Sequence, residues 1–266
     1  MATVSVNGVE LFYEVEGAGP PLLLIAGLGA NSSAWATVKP LLTARYTCIT
    51  FDNRGTGRSG APTGPYTIDQ MADDTAGLIL HLNLGPVLAV GWSLGGSVLQ
   101  ALLIRNGALV RRAVILSGFP SYTQMQHGWL DCLITLRRSD VPAAAQAMFG
   151  LAWGFTAKML SDHTVVAAAG AMTAAAPYPT SVAGFEAQAA GLRVYDSRPL
   201  LPTVMTPTLV LVGAEDVLTP ISQSVEMASL IPGARLQVLP RGSHGMVIEY
   251  TAETVGAIVA FLVADA

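Results

Sequence analysis

Charge is scarce in this sequence. Charged residues make up 12% of its 266 positions, about half the quarter usual for a soluble domain. The balance is 14 Lys and Arg against 18 Asp and Glu, a formal net charge of −4, with no block of basic residues. A weakly acidic chain of this kind is not built for nucleic acid or an anionic membrane surface. Cysteine is scarcer still. Cys48 and Cys132 cannot make a disulfide framework, and neither has a second Cys or a His at metal-ligand spacing. No window reaches about 18 uninterrupted apolar residues, and the Ala-rich stretch 165–176 is too short to span a bilayer. Residues 1–8 lack a basic region followed by an apolar run, which predicts no secretory signal and a cytoplasmic location. What is present in quantity is apolar surface. At 52% apolar residues the chain has ample material for a core, so disorder is excluded. Its length suits one α/β domain with an insertion better than two independent domains.

The N-terminal residues predict a β-hairpin. Asn7-Gly8 is a two-residue turn signal, and Val9, Leu11, Tyr13 and Val15 then alternate with Glu10, Phe12, Glu14 and Glu16. The alternation stops there. Leu22–Ala26, Tyr46–Phe51, Pro86–Val90, Ala113–Leu116, Thr208–Val212 and Leu236–Leu239 are short continuous apolar runs. A strand covered on both faces reads this way, which predicts a mostly parallel sheet between helices. Segments of helical spacing lie between the runs: Ser33–Thr43, Ile68–Leu82, Leu94–Asn106, Ile221–Leu230 and Val247–Val263. Residues 118–202 break the pattern, being rich in Ala, Met and aromatics without a strand signal. They are expected to form a helical lid inserted into a core made of residues 1–117 and 203–266.

Gly91-Trp92-Ser93-Leu94-Gly95 falls directly after one buried run and directly before a helix. A serine on such a sharp turn is exposed and strained, and glycines on either side keep side chains apart where the backbone doubles back. The pentapeptide alone is a weak signal; its position raises it. A serine nucleophile needs a base, and the base an orienting acid. Of four histidines, His244 sits in a glycine-flanked loop, Gly242-Ser243-His244-Gly245, between the last strand and the last helix. His81 is placed mid-helix, and His127 and His163 are in the insertion, where structural or surface roles are expected. Asp216 follows the run Thr208–Val212, at the carboxyl end of a strand where open α/β sheets place their sites. Glu215 beside it reads as a solvated loop charge.

The chain order Ser93, Asp216, His244 resembles that of the α/β-hydrolase superfamily over essentially the whole length. Besides the elbow and the two loops, the resemblance rests on Phe51-Asp52-Asn53-Arg54-Gly55-Thr56-Gly57-Arg58-Ser59 and on Glu249 after Ser243-His244. It implies an α/β-hydrolase fold with an eight-stranded sheet, a catalytic triad, and an oxyanion hole from the backbone N–H groups of Leu28 and Leu94. Family members commonly carry His-Gly where this chain has Ala26-Gly27, which removes a side chain that braces the loop. Asp52 and Arg54 are structural in the family, their carboxylate and guanidinium tying a turn beside the site. Asn31-Ser32-Ser33 reads as the polar start of a helix with Trp35 packed behind it.

Serine at the elbow implies acyl transfer with neither metal nor organic cofactor. The substrate-side segments are similar to those of 3-oxoadipate enol-lactonase, and the elbow equally to small carboxylesterases. The expected function is therefore hydrolysis of a small, largely hydrophobic ester or lactone. Trp92, Met125, Trp129 and Trp153 are candidate substrate-binding residues, a reading that competes with simple packing of the insertion on the core. The insertion has few basic residues, Arg137, Arg138, Lys158, Arg193 and Arg198, so no dedicated carboxylate clamp is expected. Carbon–carbon bond hydrolysis, perhydrolysis and a non-catalytic ligand receptor are the alternatives, and the composition permits a homodimer.

Overall fold

The computed structural model describes residues 2–263. The two ends of the expected core, Met1 and residues 264–266, lie outside the described residues. Eight strands form one sheet in the order β1-β2-β4-β3-β5-β6-β7-β8. They are β1 (Ala2–Val6), β2 (Val9–Glu16), β3 (Pro21–Ile25), β4 (Thr47–Phe51), β5 (Val87–Trp92), β6 (Val110–Leu116), β7 (Thr208–Gly213) and β8 (Arg235–Leu239). β1 and β2 are the hairpin, turning at Asn7 and Gly8, both at positive φ. β2 pairs antiparallel with β4, and every later pairing is parallel.

The two middle strands, β3 and β5, carry no polar side chain because both of their faces are covered. On β3, Leu22 and Leu24 join Trp35, Val38, Ile258 and Phe261 on one side. Leu23 and Ile25 join Met71, Leu94, Val98 and Leu99 on the other. Each leucine sealed this way stabilises the fold by about 1.5–3 kcal/mol. The covering helices are α1 (Lys39–Leu42), α2 (Ile68–Leu82), α3 (Leu94–Asn106), α9 (Ile221–Leu230), α10 (Met246–Glu249) and α11 (Thr251–Leu262). Helix α3 is buried continuously from Leu94 to Leu103, so its start is fixed from all sides. Cys48 is buried on β4, where burial pushes its thiol up to about 11, and Cys132 is exposed. No helix among the described residues is long and apolar enough to cross a membrane.

Between β6 and β7 lie α4 (Gln124–Arg138), α5 (Ala143–Gly154), α6 (Ala157–Leu160), α7 (His163–Ala174) and α8 (Val182–Val194). Helix α4 begins with a capping box between Thr123 and Gln126. It packs on α8 through Leu130, Phe185 and Ala189.

Three segments differ from the expectation. The helix predicted over 33–43 is a 3-10 turn, Ser32–Trp35, and the single turn of α1, with Pro40 inside the first turn of the latter. Asn31 does cap that 3-10 turn, and Trp35 is fully buried. The helix predicted over 247–263 breaks at Tyr250 (φ −126°, ψ 52°), where the hydroxyls of Thr251 and Thr254 donate to the carbonyls of Val247 and Met246. β8 is not buried on both faces: it is the sheet edge, and Leu236 and Val238 are exposed.

Candidate active site

Strand order decides where a crevice opens. From β3 the chain goes to β4 on one side, then crosses back to β5 on the other. The carboxyl ends of β3 and β5 therefore form the switch point of the sheet, where loops leave in opposite directions. Ile25 is paired with Gly91 in that register. The loop Ala26–Ala30 thus leaves beside the turn that carries Ser93.

Ser93 has φ 58° and ψ −120°, a backbone conformation that costs a non-glycine residue about 1–3 kcal/mol. The surrounding structure forces it. A Cβ on Gly95 would lie 2.1 Å from the carbonyl oxygen of Ile25, and one on Gly91 would lie 2.3 Å from that of Gly95. Only glycine fits at either place. Ser93 N donates to Leu116 O at 3.0 Å, which ties the turn to β6. The first bond of α3 runs from Gly96 N to Ser93 O at 2.8 Å, so the N–H of Leu94 precedes the hydrogen-bond ladder. Opposite it, Ala30 N closes a turn on Gly27 O and Gly29 N donates to Gln188 Oε1 at 3.0 Å. No acceptor among the described residues is bonded to Leu28 N. A Cβ on Gly27 would stand 3.3 Å from Cβ of Ser93, which measures how closely this loop approaches the serine. Gln188, fully buried on α8, also donates to Arg54 O at 2.8 Å. It supplies the brace that Ala26 cannot.

Asp216 and His244 stand at the ends of β7 and β8. Their loops are stitched together: Glu215 N donates to Gly242 O at 2.9 Å, and Gly213 approaches that same carbonyl so closely that a Cβ would sit 2.1 Å away. The Asp216 carboxylate accepts four donors. Oδ1 takes the backbone N–H of Leu218 (3.0 Å) and of Thr219 (2.7 Å), and Oδ2 takes the Thr219 hydroxyl (2.7 Å) and His244 Nδ1 (3.1 Å). Burial pushes this carboxyl up, but His244 and the Thr219 donors outweigh it and hold Asp216 below the usual carboxylate range. Glu215 is exposed, as its solvated reading requires. His244 alone among the described histidines has its ring within hydrogen-bond reach of a carboxylate. His81 lies 3.5 Å from the Tyr13 hydroxyl, His127 is edge-on to Tyr122, and His163 is exposed at the start of α7.

The candidate substrate-binding residues divide. Trp92 lies under the histidine: its indole N–H donates to His244 O at 2.9 Å, and its ring is tilted 38° against the imidazole. It thus ties the turn that carries Ser93 to the His244 loop. Trp129 is half-buried in the α4–α8 contact, Trp153 is half-buried 6.5 Å from the Phe149 ring, and Met125 is exposed. Asp52 and Arg54 do not pair with each other. Asp52 holds Ser32 N and Arg58, whereas Arg54 makes a two-pronged bridge to Asp74 at 2.6 and 2.7 Å.

The contacts of two groups escaped the sequence reading, although Glu249 itself is part of the resemblance. Thr219 bridges Asp216, His244 Nδ1 and Ser117 O; the spacing Asp216-x-x-Thr219 is a side-chain-to-backbone turn signal that could have marked it. Glu249 accepts from Thr156 and Ser243, while Gly245 N donates to Gly154 O at 2.7 Å. The end of α5 is thereby fastened to the histidine loop, a contact across some ninety residues with no local signature. Among the described residues no three His, Cys, Asp or Glu side chains come together as a metal-ligand set.

The family model for the alpha/beta hydrolase fold matches residues 20–250. BpoC of Mycobacterium tuberculosis, provisionally named a non-heme bromoperoxidase, is 31% identical over 240 residues, 89% of this chain and 91% of that protein. The enol-lactonase from Burkholderia xenovorans LB400 superposes with a TM-score of 0.87 at 29% identity, covering 98% of this chain and 99% of that one. A thermophilic esterase from Thermogutta terrifontis, solved with malate bound, superposes with a TM-score of 0.83 at 28% identity, covering 98% of this chain and 96% of that one.

Proposed function

The chain belongs to the alpha/beta hydrolase family, and from that premise we propose that it hydrolyses a small, largely hydrophobic carboxylic ester or lactone through an acyl-enzyme on Ser93. The observations that carry this reading are the serine held at positive φ on the turn into α3, the buried His244–Asp216 pair at 3.1 Å, and the Trp92 indole, next to Ser93 in the chain, that donates to His244 O at 2.9 Å. The likeness to an enol-lactonase and to an esterase supports the same bond class.

In this mechanism Ser93 Oγ attacks the carbonyl carbon and passes its proton to His244 Nε2. Asp216 stays ionised, fixes the imidazole with its proton on Nδ1, and stabilises the imidazolium that forms. The carbonyl oxygen becomes an oxyanion between the N–H groups of Leu28 and Leu94, each worth about 10²–10³ in rate. His244 returns the proton to the departing alkoxide, leaving the acyl group on Ser93. Water then attacks with His244 as base, and the carboxylic acid leaves. Residues 118–202 serve as the lid over a core made of residues 1–117 and 203–266, with Trp129 and Trp153 on its apolar side.

A second reading, perhydrolysis, is favoured by the name of BpoC. Hydrogen peroxide in place of water would release a peracid from the same acyl-enzyme, and a peracid oxidises bromide.

The test is turnover of p-nitrophenyl esters from acetate to decanoate and of a lactone panel, with water and with peroxide as acceptor. Ester or lactone turnover with a short-to-medium chain optimum is expected. A folded protein that turns over none of them refutes the reading, and peracid formation outpacing hydrolysis selects the second.

A further inference from the structure

The insertion carries four arginines, and three of them are neutralised on the spot. Arg138 forks onto Glu186, Arg193 pairs with Asp131, and Arg198 pairs with Asp196 and Glu226. Arg137 has no acidic partner among the described residues. It lies seven positions after Leu130 on α4, hence on the same helix face, and Leu130 is fully buried. That face turns inward. The Arg137 guanidinium stacks on the Phe185 ring at 4.1 Å. Its Nε is sealed from solvent without an acceptor, and so is the indole N–H of Trp129 in the same α4–α8 contact.

Position gives the unpaired charge a meaning. Nη2 lies 3.8 Å from where a Cβ on Gly29 would stand. Gly29 belongs to the turn closed by Ala30 N and Gly27 O, and the other end of that turn lies against Ser93. Leu28, between them, packs both on the main core and on the α4–α8 contact. Arg137 is half-buried, and sealing its Nε from water with neither an acceptor nor a counter-charge is costly, because nothing replaces the lost hydration there. Burial alone, with no opposing charge, pulls Arg137 below its ordinary value.

We propose that Arg137 is the anion-recognising residue of the site, and that the preferred substrate is an ester or lactone bearing a carboxylate away from the scissile bond. This reverses the expectation of no carboxylate clamp, and it rests on the acyl-enzyme reading above. The Arg137 fork presents two parallel donors that match a carboxylate. The Phe185 face holds the fork flat, so the ligand meets a group already in position.

The experiment compares p-nitrophenyl monoesters of glutaric, adipic and pimelic acids with p-nitrophenyl hexanoate to octanoate, using wild type, Arg137→Met, Arg137→Lys and Ser93→Ala. Methionine keeps much of the apolar stem that packs on Phe185. Arg137→Met should lower kcat/KM on the best carboxylate ester by about 30-fold or more, mostly through KM, and change the neutral esters by less than about three-fold. Arg137→Lys, which keeps the charge but not the fork, should fall between. Equal losses on both ester classes would make Arg137 a structural brace and overturn the assignment, as would no loss on either. If Arg137→Met does not fold, the selectivity of Arg137→Lys decides by the same criterion. Ser93-dependent turnover of neutral esters without any charge-selective effect sinks the Arg137 assignment alone. Absence of Ser93-dependent turnover in either class sinks the acyl-enzyme reading itself.

Discussion

Ser93→Ala should lower kcat/KM by about 10⁵ on every ester the wild type accepts, with folding intact. In the proposed mechanism Ser93 Oγ is the atom that becomes covalently bonded to substrate, and residues of a triad act as a unit, so losing one forfeits nearly all of their joint effect. What survives is binding and oxyanion stabilisation, which still exceed the reaction in water. The expectation of unchanged folding has its own basis. The hydroxyl of Ser93 makes no hydrogen bond among the described residues, whereas its backbone N–H holds Leu116 O. Alanine keeps that bond and tolerates φ 58° no worse than serine does. Circular dichroism and a melting curve within a few degrees of wild type would accompany the loss. A variant retaining a tenth of the activity would remove Ser93 from the chemistry.

Asp216→Asn should cost about 10⁴ in kcat, almost as much, although the two side chains have nearly the same shape. The reason lies in the four donors around the carboxylate. An amide has one oxygen and one NH₂ group, so it can satisfy only one side of this cage. With NH₂ at the Oδ2 position it faces His244 Nδ1 and forces the proton onto Nε2, where the base must be empty. With NH₂ at the Oδ1 position it meets the N–H groups of Leu218 and Thr219 head-on. The first orientation is the cheaper because the Thr219 hydroxyl can rotate to accept, so the enzyme folds with the wrong tautomer. Stability should respond as well. The folded Asp216 carboxyl titrates below the ordinary aspartate value of about 3.9. Its contribution is present above that value and is lost as the pH falls through the depressed folded one. Asp216→Asn should therefore melt lower than wild type at neutral pH and lose less further stability on acidification. Equal kcat for the two proteins would contradict the assigned role.

Much of this site was legible because parallel strands announce themselves. Leu22–Ala26, Pro86–Val90 and Thr208–Val212 are apolar on both faces, and each ends where a loop must begin. A motif that follows such a run is therefore already placed at the rim of the sheet. Ser93, Asp216 and His244 could be aligned that way without coordinates. β8 was legible as a strand but not as an exposed one, since an edge is a property of strand order. The bracing contacts were not legible, although Glu249 itself could be picked out. Gln188 reaches Gly29 across 159 positions, and Glu249 reaches Thr156 across 93. Hydrogen bonds of that span leave no periodicity in the sequence. Asp52 and Arg54 show the related hazard: two opposite charges two residues apart suggest one pair, while the fold gives each a different partner. The Trp92 contact is of the same kind, because nothing near it in the sequence says that its indole N–H bonds to His244 O.

The proposed reaction forms a covalent bond at one atom, Ser93 Oγ, and that bond can be trapped. Wild type incubated with a p-nitrophenyl alkylphosphonate, which mimics the tetrahedral species and cannot be hydrolysed away, should release about one p-nitrophenol per chain. Intact mass should rise by one phosphonyl group, peptide mapping should place it on Ser93, and Ser93→Ala should remain unlabelled. Label on any other residue, or an unlabelled wild type that still hydrolyses esters, would contradict the account.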